Sequence, residues 1–168
     1  ITNGKDIIVE NSRKLNEILS KLIDHYYPLT PTYKNELINR DVLSTPINTA
    51  RKNLFKLLLG DSVNNEDLGF RTDKFPPEKT IYLSLIKRHN MHVAKGGGAY
   101  KLTEPDKDSG LFQLWQETEQ ILKKSAHVKM PIMRFFEELS SHESNFKLKS
   151  GFLQFWVSLF LIIKKEEY

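Results

Sequence analysis

The chain contains no cysteine. Disulfide bridges and thiolate metal sites are therefore excluded, and the composition fits a reducing, cytoplasmic setting. Long hydrophobic runs are missing too. The most apolar stretch, residues 152–163, is twelve residues long, too short to cross a bilayer, so no membrane partner is expected. No signal peptide is visible, and a start at Ile1 in place of methionine suggests a missing or processed N-terminus. No internal repeat or low-complexity tract occurs.

Catalytic signatures are equally scarce. There is no G-x-x-x-x-G-K-[ST] phosphate loop. The glycines at 96–98 follow a helical pattern and separate two short extended runs, whereas a phosphate cradle has glycines opening a helix after a strand. The histidines (His25, His89, His92, His127, His142) lack metal-ligand spacing, and no nucleophile elbow is present. The acidic loop at 61–74 lacks the Asp-x-Asp-x-Asp-Gly order of a calcium site. Paired acids such as Glu137–Glu138 and Glu166–Glu167 read as solvated faces or helix ends. No catalytic residue, metal or cofactor is expected, and the chain does not read as an enzyme.

What is present is an ordinary globular composition: 168 residues, 39% hydrophobic and 27% charged. That length supports one domain, or two small units sharing a core, and enough buried surface to dispense with staples. Apolar positions Leu15, Ile18, Leu19, Leu22, Ile23 and Tyr26 follow the helical period after a cap at Asn11 or Ser12, and Pro28 ends the run. The opposite face, with Arg13, Lys14, Glu17, Lys21 and Asp24, alternates in sign as solvated surfaces do. Residues 32–44 read as a short helix or irregular segment. Thr45 as N-cap and Pro46 at the first position open a second helix, with Gly60 as its left-handed terminator.

Residues 79–103 hold Lys79, Lys87, Arg88, Lys95 and Lys101 and no acid. They carry +5 of a chain total of +4, leaving −1 elsewhere. The window reads as a helix running into a glycine-tipped hairpin. With the preceding helix it makes the helix–helix–β-hairpin order of a winged helix, so the predicted fold is mainly α with a winged-helix-like unit. Residues 1–30 form a leading helix and linker, 31–105 the winged-helix-like unit, and 106–168 a truncated C-terminal helical unit sharing the core. In that last unit, Leu111, Leu114, Trp115, Thr118, Ile121 and Leu122 face inward from one helix. Ile132, Phe135, Phe136 and Leu139 do so from the next.

Two further expectations concern single sites. Arg51 falls inside the apolar sector of the second helix, where an unpaired guanidinium is costly, and Glu36 and Asp41 are the carboxylates nearest in sequence for a structural ion pair. Residues 152–163 are apolar on nearly every side. Phe152, Phe155, Trp156, Leu159 and Phe160 are therefore expected to be covered in part by a neighbouring domain or subunit.

The segments NELINR (35–40), LSTPINTARKNL (43–54), PPEKTIYLSLIK (76–87), GGAYKLTEP (97–105) and LKSGFLQFWVSLFLIIKKEEY (148–168) resemble an interior region of very large bacterial ATP-binding proteins. These are P-loop proteins found with restriction and phage-defence systems, including the large ATPase of BREX-type systems. The resemblance runs from residue 31 to the end. It implies that the ATPase core lies elsewhere in a parent chain, and that the last helix would feed a further strand beyond Tyr168.

Two functions follow as expectations. One is contact with nucleic-acid backbone through Lys79, Lys87, Arg88, Lys95 and Lys101, without sequence preference. About five phosphate contacts would give a log–log salt slope near −4.5. The alternative is a protein–protein or domain-packing module with no nucleic-acid binding.

Overall fold

The computed structural model describes residues 9–126, 128–141 and 144–165. His127, His142, Glu166 and Glu167 lie outside them. Among the described residues the chain is mainly helical, with one two-stranded antiparallel sheet.

Helix α1 spans Ser12–Tyr26 and starts at Asn11, whose side chain accepts from Lys14 N at 2.9 Å. Residues 31–44 form irregular turns, anchored where the Asn35 carboxamide oxygen accepts from Leu37 N and its NH₂ donates to Ser84 Oγ at 2.7 Å. Helix α2 is Thr45–Leu59. Its cap position is Ser44, one residue before the expected Thr45, because Pro46 fits the first turn with Thr45 already helical. Gly60 is extended (φ −99°) and not left-handed. The chain there passes straight into the tight turn Asp61–Asn64 without reversing.

Helix α3 begins at Pro77 and runs to Ile81, then widens into a π turn over Tyr82–Ile86 and tightens again over Lys87–His89. Asn90 (φ 53°) ends it in the left-handed region and admits strand β1, His92–Gly96. Strand β2, Ala99–Leu102, pairs antiparallel with His92 opposite Leu102 and Val93 opposite Lys101, and a bulge falls between Ala94 and Gly96. Helices α4 (Phe112–Ser125), α5 (Ile132–Ser140) and α6 (Ser150–Lys164) complete the chain. On α4 the expected inward set is buried, except that Leu122 is half-exposed. On α5, Ile132 faces out while Phe135 and Leu139 are buried.

One hydrophobic cluster draws side chains from Ile38 through Phe160, and α6 runs through its centre. Phe152, Phe155, Trp156, Leu159 and Phe160 are all buried within this chain. The expectation that they meet a neighbour is therefore corrected. Tyr33 stacks on Phe152 (4.0 Å between centroids), Phe55 on Phe155 (5.3 Å), and Trp115 meets Phe160 edge-on (4.6 Å). The 31–44 segment, α2 and α4 thus cover three sides of a helix that is apolar all round, as such a helix demands. Two polar devices hold it there. Trp156 Nε1 donates to Thr118 Oγ1 (2.9 Å), which itself donates to Leu114 O. Gly151 N donates to Arg40 O at 2.8 Å, and a Cβ at position 151 would sit 2.6 Å from that same oxygen. Only glycine allows this approach of the first turn to the 38–40 backbone.

Candidate functional site

The basic window divides once its side chains are placed. Lys79 is buried (6% exposed). Its ammonium donates to the carbonyls of Arg71 (2.7 Å) and Lys74 (3.1 Å) and lies 4.0 Å over the Phe75 ring. It fastens the 71–75 loop to α3 and is not a phosphate contact. The expectation fails here because two carbonyls and an aromatic face satisfy an ammonium as well as solvent does.

Lys87 is engaged as well, in an ion pair with Asp67 at 2.6 Å. Asp67 and Leu68 both adopt left-handed backbone (φ 48° and 54°) ahead of Gly69 (φ 72°). Non-glycine residues rarely sit there unless the surroundings hold them. Lys87 and the Tyr82 hydroxyl (3.2 Å) supply that hold on Asp67. The same hydroxyl lies 2.8 Å from His92 Nδ1, so its one proton serves either that nitrogen or Asp67, and His92 Nε2 donates to Val63 O at 2.8 Å. Burial, then the Asp67 charge, push the Tyr82 phenol well above its usual range, so it stays protonated and able to donate. The chain Val63–His92–Tyr82–Asp67–Lys87 thereby ties β1, α3 and the 60–76 connection together.

Arg88, Lys95 and Lys101 remain. All three are exposed, and none has a carboxylate or hydrogen-bond partner among the described residues. Arg88 lies at the end of the helix, Lys95 at the bulge, and Lys101 opposite Val93 on the strand face away from the His92–Leu102 pair. The hairpin tip beyond them is held by positive φ at Gly96, Gly97 and Gly98. His89 is next to this group. Its Nδ1 meets Ser109 Oγ at 2.7 Å while its buried Nε2 has no partner. Burial, and then the charge of Arg88, lower its pKa.

The expected Arg51 ion pair is not formed. Arg51 is half-buried and donates to the Gln154 carboxamide on α6 at 3.2 Å, and burial lowers its pKa. Asp41 instead pairs with Lys149 (2.8 Å) and accepts from Ser150 N, and both contacts hold its carboxyl below the usual range. Glu36 receives Arg40 Nε on its backbone carbonyl. Nearness in sequence misled because Asp41 is spent on capping the N-terminus of α6, where a carboxylate faces free N–H groups.

Two grooves open on the surface. One, of about 650 Å³, lies between α4 and α5 and is polar, with Gln113, Gln116 and Gln120 beside Glu138. Glu138 bridges Lys124 (3.1 Å) and Arg134 (3.5 Å) across it. The other, of about 520 Å³, is floored by Leu57, Leu68 and Phe70 beside the left-handed turn. Among the described residues no three carboxylate or imidazole side chains gather as a metal site requires. No described helix is long and apolar enough to cross a membrane.

The most conspicuous surface is α1. None of its residues is buried. Leu15, Leu19, Ile23 and Tyr26 are 41%, 46%, 45% and 69% exposed, with Ile18 and Leu22 half-exposed beside them. At 100° per residue these six span a sector of roughly 140°, the width of a core-facing helix. The chain rejoins the body only after α1, where Leu29 N donates to Asn145 O and Lys147 N to Thr30 Oγ1. The periodicity of the stripe was legible in the sequence. Its lack of cover was not.

Comparison with protein-family models, with curated proteins and with solved structures returns no match.

Proposed function

We propose that this chain is a non-catalytic interaction module that docks on another protein surface through α1. The observation that carries the reading is the six-residue apolar stripe facing solvent. A helix of 15 residues is at the length where isolated helices are marginal in water. Its internal supports are local: the Asn11 cap and the Lys14–Glu17–Lys21 chain of ion pairs. The cap contributes on the order of 1 kcal/mol and the ion pairs are solvent-screened, whereas covering the stripe contributes several times as much as the cap at about 25 cal/mol per Å². Amphipathic helices that dock this way present anchors at i, i+3, i+4 and i+7, the spacing of Leu15, Ile18, Leu19 and Leu22.

The test is the double variant Leu19→Asp/Ile23→Asp. Its melting temperature should stay within about 1 °C of wild type, since the replaced side chains support nothing in the monomer. In extracts of cells that make the protein, the chain should migrate in an assembly that the variant fails to join. A variant that unfolds, or one that remains in the same assembly, overturns the reading.

A second reading rests on Arg88, Lys95 and Lys101, three exposed cations with no acidic partner among the described residues, on a helix end and hairpin that we read as winged-helix-like. Three phosphate contacts give a log–log salt slope of about −2.7. Anisotropy titrations of duplex DNA at two salt concentrations measure it. Binding that survives the triple alanine variant, or no binding at low salt, removes this reading. In the large ATP-binding proteins that the sequence resembles, either role would belong to a region remote from the nucleotide site.

A further inference from the structure

We propose that His92 works a pH-sensitive clasp: a second proton on its imidazole turns the Tyr82 hydroxyl onto Asp67 and tightens the left-handed turn at residues 67–69. His92 Nε2 donates to Val63 O at 2.8 Å, so Nδ1 of the neutral ring is bare and can only accept. The Tyr82 hydroxyl lies 2.8 Å from that nitrogen and 3.2 Å from Asp67 Oδ1, with one proton for two acceptors. Given to the nearer His92, the proton leaves the phenol oxygen facing a carboxylate oxygen, and Asp67 is held by Lys87 alone (2.6 Å). A second proton on the ring ends the contest. Nδ1–H then donates to the Tyr82 oxygen and the phenol proton goes to Asp67. Every link from Val63 to Asp67 now has one donor and one acceptor. Only the hydroxyl has to rotate.

The charged and titratable neighbours of the ring come from each element packed on it. Helix α3 brings Tyr82 and, in its last turn, Lys87, which holds Asp67. The 60–70 connection brings Glu66 and Asp67, and β2 brings Tyr100, whose ring lies 5.3 Å from the imidazole and whose hydroxyl is beside Glu66. Two carboxylates against one ammonium leave a formal −1, so an imidazolium meets no excess of positive charge. Burial first, then the Asp67 charge, keep the phenol protonated. Tyr82 therefore has a hydrogen to redirect across the range in which imidazoles take up protons. The turn is what gains from it. Asp67 and Leu68 stand at φ 48° and 54°, a backbone that non-glycine residues keep only when their surroundings fix it. Leu68, Gly69 and Phe70 also line the groove of about 520 Å³, so acid stiffens one of its walls.

The second proton and the closed turn favour each other by linkage, so protection of the turn is gained as pH falls and lost as it rises. Amide hydrogen exchange reads it at Leu68 and Phe70, whose N–H groups close the turn on Asn65 O and Asp67 O (3.1 and 3.0 Å). His89→Asn is the background, because it removes the neighbouring imidazole, and the amides of α6 report any global change. Protection factors at Leu68 and Phe70, corrected for intrinsic exchange, should rise about fivefold between pH 8 and pH 5, the worth of one partly exposed bond to a carboxylate. Adding Tyr82→Phe should leave them level. The ring-nitrogen resonances of His92 should show Nδ1 bare at pH 8 and protonated at pH 5. Level or falling protection, a rise shared equally by α6, or a rise that survives Tyr82→Phe overturns the clasp. If Tyr82→Phe does not fold, the ring spectrum of His89→Asn decides. An Nδ1 still bare at pH 5 overturns the clasp, and one that gains its proton in step with protection supports it.

Discussion

Helices α1 and α6 are each 15 residues long and sit near opposite ends of the chain. Helix α6 is apolar on nearly every side and looks the more in need of outside cover, yet it lies buried in the centre of its own molecule. Helix α1 is balanced, with an ordinary amphipathic pattern, yet none of its apolar side chains is buried. The contrast teaches that a helix's composition states how much surface wants covering, and says nothing about who covers it. Three rings, a glycine and a buried tryptophan–threonine hydrogen bond decide the matter for α6. For α1, no element among the described residues packs on the stripe beyond marginal contact.

That comparison is most easily broken on the α6 side. Phe155→Ala, which empties a fully buried site stacked on Phe55, should cost about 3–5 kcal/mol in denaturant unfolding. A loss below about 1 kcal/mol would mean that α6 is not the centre of the core. Next in size is Gly151→Ala. The new Cβ meets backbone oxygens of Arg40 and Ile38 at 2.6 and 2.8 Å, contacts that no rotamer relieves, so about 1–3 kcal/mol should be lost. Thr118→Val keeps the shape but strands the Trp156 N–H. About 1–2 kcal/mol is expected, with a shift in tryptophan near-ultraviolet dichroism as the second readout.

A smaller effect is expected from pH. Burial holds the His89 imidazole below its ordinary value of about 6.5. The unfolded chain then takes up the proton first, so this contribution is fully present above about pH 6.5 and is lost as pH falls from there through the depressed folded value. His89→Asn keeps a side-chain partner for Ser109, and its melting temperature should fall less than wild type between pH 7 and 5. Equal slopes would show that His89 is not the group that responds. Smallest of all is the effect of Leu19→Ala on α1 in the monomer, within about 0.5 kcal/mol at an exposed site. The same change that is silent in the free chain should weaken the assembly that Leu19→Asp/Ile23→Asp fails to join, which sharpens the contrast between the two helices.

Much of the architecture was readable from residues. Pro46, the Pro76–Pro77 pair and Pro131 mark helix starts because proline suits the first turn. Asn90 and the glycines at 96–98 mark a helix end and a hairpin tip because they tolerate positive φ. The inward positions of α4 came from periodicity alone. The basic window was legible only as a sum of charge. Lys79 and Lys87 count in that sum, but a loop carbonyl pair and a left-handed Asp67 claim them, and neither partner is visible from spacing. Arg51 shows the same limit: its helical phase was right, and its partner, Gln154, lies 103 residues away.

The sequence by itself determined where the chain is helical, where it turns, which side chains want burial and where positive charge is concentrated. Those are local properties, set by backbone preference, period and composition. Only the tertiary structure decided which of those demands are met inside the molecule. Covering a surface and pairing a charge both depend on residues distant in sequence, and α6 satisfies its demand with Tyr33, Phe55 and Trp115 while no side chain of α1 is buried.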